Sequence, residues 1–443
     1  MLSLNRTLKG FSQSLKVSFV ATAVALTMLS GAQAADKTIK IGIVYDYTGP
    51  LAGGGSLEHA LGTKIIIDHI NSQGGVEGYM IDPIYVDAQS KPEVAINEVT
   101  RLIEQENVDM LLGFYSSAQC VPVAAKANAL KKFMWITTCI SPAVLQDRDL
   151  KYVFRPQVHG GMFGAASVEF LNGTAQEKLG MDPKDLKLAI IHEDGSYGTG
   201  VAGGNEETAK KFGMNVVLKE GYSATAPDLS SLVTKLKRKR PDVILHTGYN
   251  PDITLFLRQA KEQGLRFKAL IGHGAGYGVP DKLYDALGTD VDHIYNVDPV
   301  SLWLLDPKTL AEGLPAITTM VGDEYEKAKP EMKVKSASLG QGASNSYVFF
   351  NDVLPRAIKK YGGIDSESLR KAALDTDIAP GGTLLGYGVK FPKEGENSMM
   401  GQNMLAAPVV MQYADRKVFI AWPKELQTID PVLPLPKSSP YAK

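Results

Sequence analysis

Two adjacent serines stand where an apolar strand pattern gives way to a helix pattern. The segment GFYSSAQC (113–120) follows the apolar run VDMLL (108–112) and leads into an alanine-rich helix pattern. Hydroxyls and free backbone N–H groups at the start of a helix can cap that helix or hold a small anion such as a carboxylate. Ser116 and Ser117 alone do not decide between these two functions.

The same residue types recur after other strand patterns, in both halves of the chain. The further segments are DYTGPLAGGGS (46–56), TTCIS (137–141), HEDGSYG (192–198), TGYN (247–250) and GHGAGYG (272–278). In an open parallel sheet, ligands bind outside the carboxyl ends of the strands. Hydroxyls, N–H groups and tyrosine faces at these ends therefore predict a site for a small molecule with a polar group and an apolar body.

Motifs for catalysis, phosphate binding and metal binding are incomplete. GHGAGYG lacks both the Lys-Ser/Thr ending of a phosphate loop and the dinucleotide spacing, and the chain has no G-x-S-x-G elbow. The residues of HEDGS alternate between two faces of a strand end, and the seven histidines show no metal spacing. We therefore expect no enzymatic function, no metal and no cofactor.

Strand and helix patterns alternate along the chain, which indicates parallel sheets covered by helices on both faces. One unit contains the strand patterns 39–47, 81–90, 108–115 and 133–139, and a second contains 186–194, 215–223, 242–249 and 267–274. Extended segments at 152–158 and 293–300 are predicted to cross between the units. The fold class is therefore α/β, with two doubly wound parallel-sheet lobes.

The first 34 residues have the pattern of a secretory signal peptide. A basic start precedes the apolar run VSFVATAVALTML (17–29), and Ala32-Gln33-Ala34 supplies small residues for cleavage after about Ala34. The formal net charge of the whole chain is −1, and removal of three cations with this segment makes the mature chain more acidic. We expect a periplasmic protein that does not bind nucleic acid.

With these elements in order, the chain resembles the leucine/isoleucine/valine-binding proteins, the extracytoplasmic receptors of branched-chain amino acid importers. The matching segments are IKIGIVYDYTGPLAGGG (39–55), INSQGGVEGYMIDPIYVDAQSKPEVAINEVTRLI (70–103), GFYSSAQCVPVA (113–124), HEDGSYGTG (192–200) and GYNPDITLFLRQAKEQG (248–264). The resemblance implies a type I periplasmic-binding fold whose two lobes, joined by three crossings, close over a solute. We place lobe 1 at 35–155 and 299–380, lobe 2 at 156–298 and 381–415, and a C-terminal tail at 416–443.

The resemblance also implies which residues bind the ligand. Ser117 matches the serine that holds the ligand carboxylate, and Cys139 and Ser141 match a loop that supplies a carbonyl and a hydroxyl. Tyr197 and Tyr249 match tyrosines that the second lobe contributes on closure. The remaining candidates from the same loops are Tyr115, Ser116 and Gly274.

Two departures from the family pattern bear on the ligand. In the family's amino-acid binders, an acid in the second lobe pairs with the α-ammonium group of the ligand, but the corresponding loop here has Gly274 or Ala275 at that position. In the first loop, Gly53, Gly54 and Gly55 stand where a large side chain often forms one wall of the pocket. Together these departures favour an aromatic or other non-amino carboxylate, or an amide, over an ordinary amino acid. An amino acid stays the alternative ligand, and Asp46, Glu193, Asp194 and Asp298 are then the first candidates for the acid that pairs its ammonium group.

The expected partners are a small-molecule ligand and the membrane permease of an ABC importer, with the binding protein itself a monomer. The alternative function is a sensory or regulatory ligand-binding protein that passes its occupancy to a signalling partner. Cys120 and Cys139 are the two cysteines of the chain. They are expected either to form a disulfide or to be small buried thiols.

Overall fold

The computed structural model describes residues 37–443, so the predicted signal peptide lies outside the described residues. The strands are β1 Lys37–Tyr45, β2 Tyr79–Asp87, β3 Met110–Gly113, β4 Met134–Ile136, β5 Val153–Phe154, β6 Lys187–Glu193, β7 Asn215–Tyr222, β8 Val243–Thr247, β9 Ala269–His273, β10 Tyr295–Asp298, β11 Asp377–Ile378, β12 Val389–Lys390, β13 Val409–Ala414 and β14 Lys417–Trp422. The α-helices are α1 Leu57–Ser72, α2 Pro92–Glu104, α3 Ser117–Ala129, α4 Gly160–Leu179, α5 Ser196–Phe212, α6 Ser230–Lys239, α7 Asn250–Glu262, α8 Pro280–Leu287, α9 Leu314–Ala328, α10 Ala337–Val348, α11 Leu354–Tyr361 and α12 Ser366–Leu374. Within residues 37–443, no helix has the length and apolar character needed to cross a membrane.

Five parallel strands form the sheet of the first lobe, in the order β2-β1-β3-β4-β5. Helix α10, although distant in sequence, packs closely on α1 in this lobe. A Cβ atom at Gly342 would lie 2.2 Å from the His59 carbonyl oxygen, and one at Gly62 would lie 2.2 Å from the Leu339 carbonyl oxygen. Only glycine allows the two helix backbones to approach this closely.

Seven strands form the sheet of the second lobe, in the order β14-β13-β10-β9-β8-β6-β7. The strands from β6 to β10 are parallel, and β13 and β14 add an antiparallel hairpin beside β10. The apolar strands β6, β8 and β9 are buried along nearly their whole length, as strands covered on both faces must be. The prediction of two doubly wound lobes is confirmed.

The predicted position of the third crossing, at residue 381, is wrong. The Phe391 ring contacts the rings of Trp135 and Phe154 in the first lobe, with centroids 5.8 and 5.2 Å away. The Arg155 N–H then donates to the Gly401 carbonyl at 2.7 Å. The chain therefore stays beside the first lobe until about residue 402 and enters the second sheet at β13, because its aromatic side chain is buried in the first core.

The predicted boundary between lobe 2 and the tail, at residues 415 and 416, is also wrong. Asp415 and Arg416 both have positive φ, at 49° and 57°, and form the two-residue turn between β13 and β14. The boundary therefore bisects a hairpin whose second strand belongs to the sheet. The chain end is also packed on this lobe, since the buried Tyr441 ring stacks on Phe267 with centroids 5.5 Å apart.

A disulfide joins Cys120 of α3 to Cys139 in the loop after β4. Both cysteines are buried, at 0% and 1% exposure. This resolves the alternatives that the sequence leaves open in favour of the disulfide. The bond links two of the strand-end segments from which the ligand site was predicted.

Candidate ligand site between the two lobes

A narrow cavity lies between the lobes, at the carboxyl ends of the strands in both sheets. The cavity volume is about 30 Å³. The first lobe contributes His59, Tyr115, Ser117, Thr138, Cys139, Ile140, Ser338 and Gln341, and the second contributes Phe163, Tyr197, Tyr249, Ala275 and Asp298. The cavity thus has the position that the topology of parallel sheets predicts for a ligand site.

Ser117 is the first residue of α3 and brings the helix N-terminus to the cavity wall. The side chain of Ser116, at the N-cap position, makes no capping hydrogen bond, so the first-turn N–H groups have no side-chain cap. The Ser117 Oγ accepts a hydrogen bond from the Ser141 N–H at 3.1 Å, and its own proton can still be donated. This arrangement suits an anionic group.

The hydrogen bonds of Cys139 and Ser141 differ from the ligand contacts that were expected of them. The Cys139 carbonyl, expected to contact the ligand, accepts a hydrogen bond from Arg155 Nη1 at 3.0 Å. The Ser141 Oγ accepts from the Ala143 N–H at 3.2 Å, where it caps a short 3-10 helix. Cys139 lines the cavity, whereas Ser141 lines a wider groove outside it.

Tyr197 and Tyr249 form the wall that the second lobe contributes. Tyr197, in the first turn of α5, donates its hydroxyl hydrogen bond to the His273 carbonyl. Tyr249 precedes α7, and its backbone N–H donates to Asp252 Oδ1 at 2.9 Å. The two rings lie 5.3 Å apart by centroid, and Tyr249 also lies 6.4 Å from the ring of Tyr115 in the first lobe. The three tyrosines close the cavity across the lobes.

Tyr115 occupies the space that the glycines of the first loop were expected to leave for a bulky ligand. Its hydroxyl donates to the Gly54 carbonyl at 2.8 Å. Gly55 has φ of 135°, and a Cβ atom there would lie 2.6 Å from the same hydroxyl. The expectation of extra space is therefore wrong, because the glycines accommodate a side chain of the protein itself.

The loop of Gly274 and Ala275 carries no acid, but one of the four alternative acids reaches the cavity from another element. Asp298, the last residue of β10, lines the cavity and is 2% exposed. Its Oδ1 accepts from Gln341 Nε2 at 2.7 Å. Oδ1 also lies 3.6 Å from the position of a Cβ atom on Gly274, beside the loop where an acid was sought. Burial raises the pKa of Asp298 to about 7.

Of the eight residues predicted for the site, five line the cavity: Tyr115, Ser117, Cys139, Tyr197 and Tyr249. The other three do not. Ser116 lines a separate groove together with Tyr249 and Asp252. Ser141 lines the wider groove. Gly274 forms a turn with φ of 47°, next to Ala275, which does line the cavity.

Sequence reasoning missed the polar residues that helices bring to the cavity. His59 of α1 places Nε2 3.3 Å from Gln341 Oε1, and burial lowers its pKa to about 4. Gln341 of α10 connects His59 with Asp298 and also accepts from Gln157 Nε2 at 2.7 Å. These residues lie within helices and not directly after a strand, so the position of the strands in the sequence does not identify them. Within residues 37–443, no group of three or more His, Cys, Asp or Glu residues could hold a metal ion.

Residues 38–410 match the periplasmic binding protein family. A curated relative, the Leu/Ile/Val-binding protein homolog 7 of Brucella suis, is 36% identical over 400 residues, covering 89% of this chain and 96% of that protein. A leucine-binding protein from Thermotoga maritima has a TM-score of 0.70 at 21% identity, covering 86% of this chain and 97% of that structure. LivJ from Streptococcus pneumoniae, in complex with isoleucine, has a TM-score of 0.68 at 20% identity, covering 86% and 98%.

The match along the chain and the fold agree with the resemblance found in the sequence, and the family consists of solute-binding proteins rather than enzymes. The chain belongs to the periplasmic binding protein family, and its curated relatives within that family are Leu/Ile/Val-binding protein homologs.

Proposed function

We propose that this protein captures a small amino acid between its two lobes and delivers it to the membrane permease of an ABC importer. The observation that carries the proposal is the pairing of complementary groups in one cavity. Ser117 and the N-terminus of α3 come from the first lobe, and the carboxylate of Asp298 comes from the second. A zwitterion matches this arrangement.

The carboxylate of the ligand is bound at α3. Its negative charge interacts favourably with the helix N-terminus, and it accepts hydrogen bonds from the first-turn N–H groups and the Ser117 hydroxyl. The ammonium group is bound by Asp298, which removes the cost of burying an unpaired cation. The aliphatic part contacts the tyrosine rings and Phe163.

Closure of the lobes over the ligand couples binding to transport. The contact of the Tyr115 ring with the Tyr249 ring joins the two lobes, so an occupied protein presents a closed surface to its partner. We propose that this partner is a permease, that the protein acts in the periplasm as a monomer, and that a signal peptide ending near Ala34 directs its export.

A thermal-shift screen of amino acids, primary amides and aromatic acids tests the proposed function. A ligand at 100 times its dissociation constant adds about 2.7 kcal/mol of stability, which shifts the unfolding midpoint clearly. We expect stabilisation by a small aliphatic amino acid, with leucine as the reference probe. Stabilisation by amides or aromatic acids alone would contradict the proposal.

Replacing Ser117 with Ala is expected to weaken leucine binding by about ten- to hundredfold, because a charge-assisted hydrogen bond to the carboxylate is lost. Calorimetric titration measures the change. Ser72→Ala is the control, since it removes an exposed hydroxyl at the far end of α1 and should leave the affinity unchanged. Equal affinities for the Ser117 variant and the wild type would exclude the carboxylate from this end of the cavity.

Replacing Tyr115 with Ala is expected to shift the size preference of the site. Removal of the ring opens the space above Gly54 and Gly55, so the affinity for phenylalanine should rise at least about tenfold relative to leucine. Tyr115→Phe keeps the ring and loses only the hydrogen bond to Gly54, so its preference should match the wild type. A parallel loss of both ligands in the Ala variant would show that the ring supports the fold without limiting ligand size.

A further inference from the structure

Arg155, on the first crossing between the lobes, is a buried cation whose hydrogen-bond partners are all neutral. It is 0% exposed. Its Nε donates to Gln402 Oε1 at 2.7 Å, and its Nη1 donates to the carbonyls of Cys139 and Ser141 at 3.0 and 2.8 Å. Among the described residues, its Nη2 has no hydrogen-bond partner. Burial lowers the pKa of Arg155 to about 9, so the group is still cationic near neutral pH.

A buried charge without a counter-charge is costly, and proteins normally pair such a group with an acid. Here the guanidinium lies directly behind the cavity wall, because Cys139, whose carbonyl it binds, lines the cavity. The nearby His159 is neutral at physiological pH, since burial and the charge of Arg155 lower its pKa to about 4. The local potential behind this wall is therefore positive.

The loop in front of Arg155 is oriented to suit an anion. The carbonyls of Cys139 and Ser141 point to Arg155, and the Ile140 carbonyl accepts from the Gly160 N–H at 2.7 Å. All three carbonyl oxygens of the loop are thus bound, two by Arg155 and one by Gly160 at the start of α4, and do not face a ligand carboxylate. The Ser141 N–H in turn fixes the Ser117 hydroxyl.

We propose that Arg155 balances the negative charge of the ligand carboxylate at α3 without touching it, and that it orients the 139–141 loop for this purpose. Arg155 is then a positioning residue that makes the site selective for a carboxylate over a neutral amide. The inference rests on the proposed function, because it requires a ligand carboxylate at Ser117.

The test compares leucine with leucinamide, which keeps the ammonium and removes the negative charge. Calorimetry at pH 7 is applied to the wild type, Arg155→Gln, Arg155→Lys and Arg148→Gln. Arg148 is the matched control, because its Nη1 also donates to backbone carbonyls, those of Val121, Ala143 and Val144, yet it does not line the cavity.

Arg155→Gln should weaken leucine binding about hundredfold and leucinamide binding less than about threefold. Arg155→Lys keeps the charge and should retain most of the preference for leucine, and Arg148→Gln should retain all of it. If Arg155→Gln weakens the binding of leucine and of leucinamide by the same factor, the inference is overturned and Arg155 only stabilises the structure.

If Arg155→Gln does not fold, the wild type alone decides the question. A buried uncompensated cation predicts a preference for leucine over leucinamide of at least about 300-fold, whereas hydroxyl and N–H donors alone predict about ten- to hundredfold. A preference within about a hundredfold would overturn the inference. A wild type that binds neither leucine nor any other amino acid would contradict the proposed function itself, a distinct outcome.

Discussion

Replacing Asp298 with Asn is expected to weaken leucine binding by about 100- to 1,000-fold, the largest effect of any single substitution in this site. The variant leaves the ligand ammonium buried in the closed cavity without a negative partner, and truncation of one member of a buried charge pair typically costs 2–5 kcal/mol. Binding of 4-methylpentanoate, which lacks the ammonium, should not weaken. Calorimetric titration of both compounds measures the difference.

Asp281→Asn is the matched control for this substitution. Asp281 is also a buried carboxylate of the second lobe, at 4% exposure, but it does not line the cavity. Its Asn variant should bind leucine as the wild type does. If both Asn variants lose the same affinity, the effect reflects general destabilisation of the lobe and Asp298 does not bind the ammonium.

The pairing of Asp298 with the ligand ammonium group should make leucine binding depend on pH. Burial raises the pKa of Asp298 to about 7, so below that pH the empty site holds a neutral carboxyl group. Binding of an ammonium requires the carboxylate and releases a proton, so the affinity should fall about tenfold per pH unit below 7 and be constant above it.

The groups around Asp298 do not titrate between pH 5.5 and 8. The pKa values of Tyr115, Tyr197, Tyr387 and Tyr413 lie well above their usual value because of burial, and that of His59 is about 4. The Asp298→Asn variant should therefore show a nearly flat profile over this range. A slope that persists in the variant would assign the titration to another group, of which Asp252, with a pKa raised to about 7, is the first to replace.

Removing the disulfide by the double substitution Cys120→Ala and Cys139→Ala should lower the free energy of unfolding by about 3 kcal/mol. The bond closes a loop with a sequence separation of 19, and without it the unfolded chain regains the corresponding conformational entropy. Urea denaturation of the ligand-free protein measures the loss. Incubation of the wild type with a reductant should produce a similar decrease, because it breaks the same bond.

The double variant should also bind leucine more weakly, since the bond holds the helix of Ser117 against the loop of Cys139. Ala fits both buried positions without a clash, and the small cavity left by the two sulfur atoms adds to the loss of stability. If the variant is as stable as the oxidised protein, the bond does not constrain the unfolded chain as described, and the first lobe is held by its core alone.

Much of the site could be predicted from the sequence, because ligands of open parallel sheets bind outside the carboxyl ends of the strands. Ser117, Tyr197 and Tyr249 each stand within a few residues of a strand that an apolar pattern identifies. Because parallel strands of one sheet end at the same edge, their loops meet in space even though they are far apart in sequence. The hydroxyl and tyrosine candidates from both lobes therefore converge on one cavity.

Asp298 also stands at the end of a strand, but the sequence singles it out only as one of four alternative acids. It ends β10, whereas the pattern at 293–300 predicts a crossing between the units rather than a strand of the second sheet. The position of Tyr115 is a different case. Its ring reaches Gly54 and Gly55 across 61 and 60 positions of sequence, and only the packed structure shows that contact.

The lobe boundaries could not be placed from the sequence for a related reason. Residues 381–402 have few regular elements, and their lobe is decided by where Phe391 finds an aromatic core, between Trp135 and Phe154. Such a long-range contact leaves no periodic pattern. The turn at Asp415 and Arg416 was similarly hidden, because neither residue is the glycine that usually marks a two-residue hairpin turn.

Calorimetric titration of the wild-type protein with leucine and with 4-methylpentanoate at pH 7.5 tests the central claim most directly. The two compounds share the carboxylate and the aliphatic chain and differ in the ammonium group alone. If the cavity holds a zwitterion between α3 and Asp298, leucine should bind at least about a hundredfold more tightly, because only leucine pairs with the buried carboxylate. Equal affinities, or tighter binding of 4-methylpentanoate, would contradict the account and identify the natural ligand as a carboxylate without an amino group.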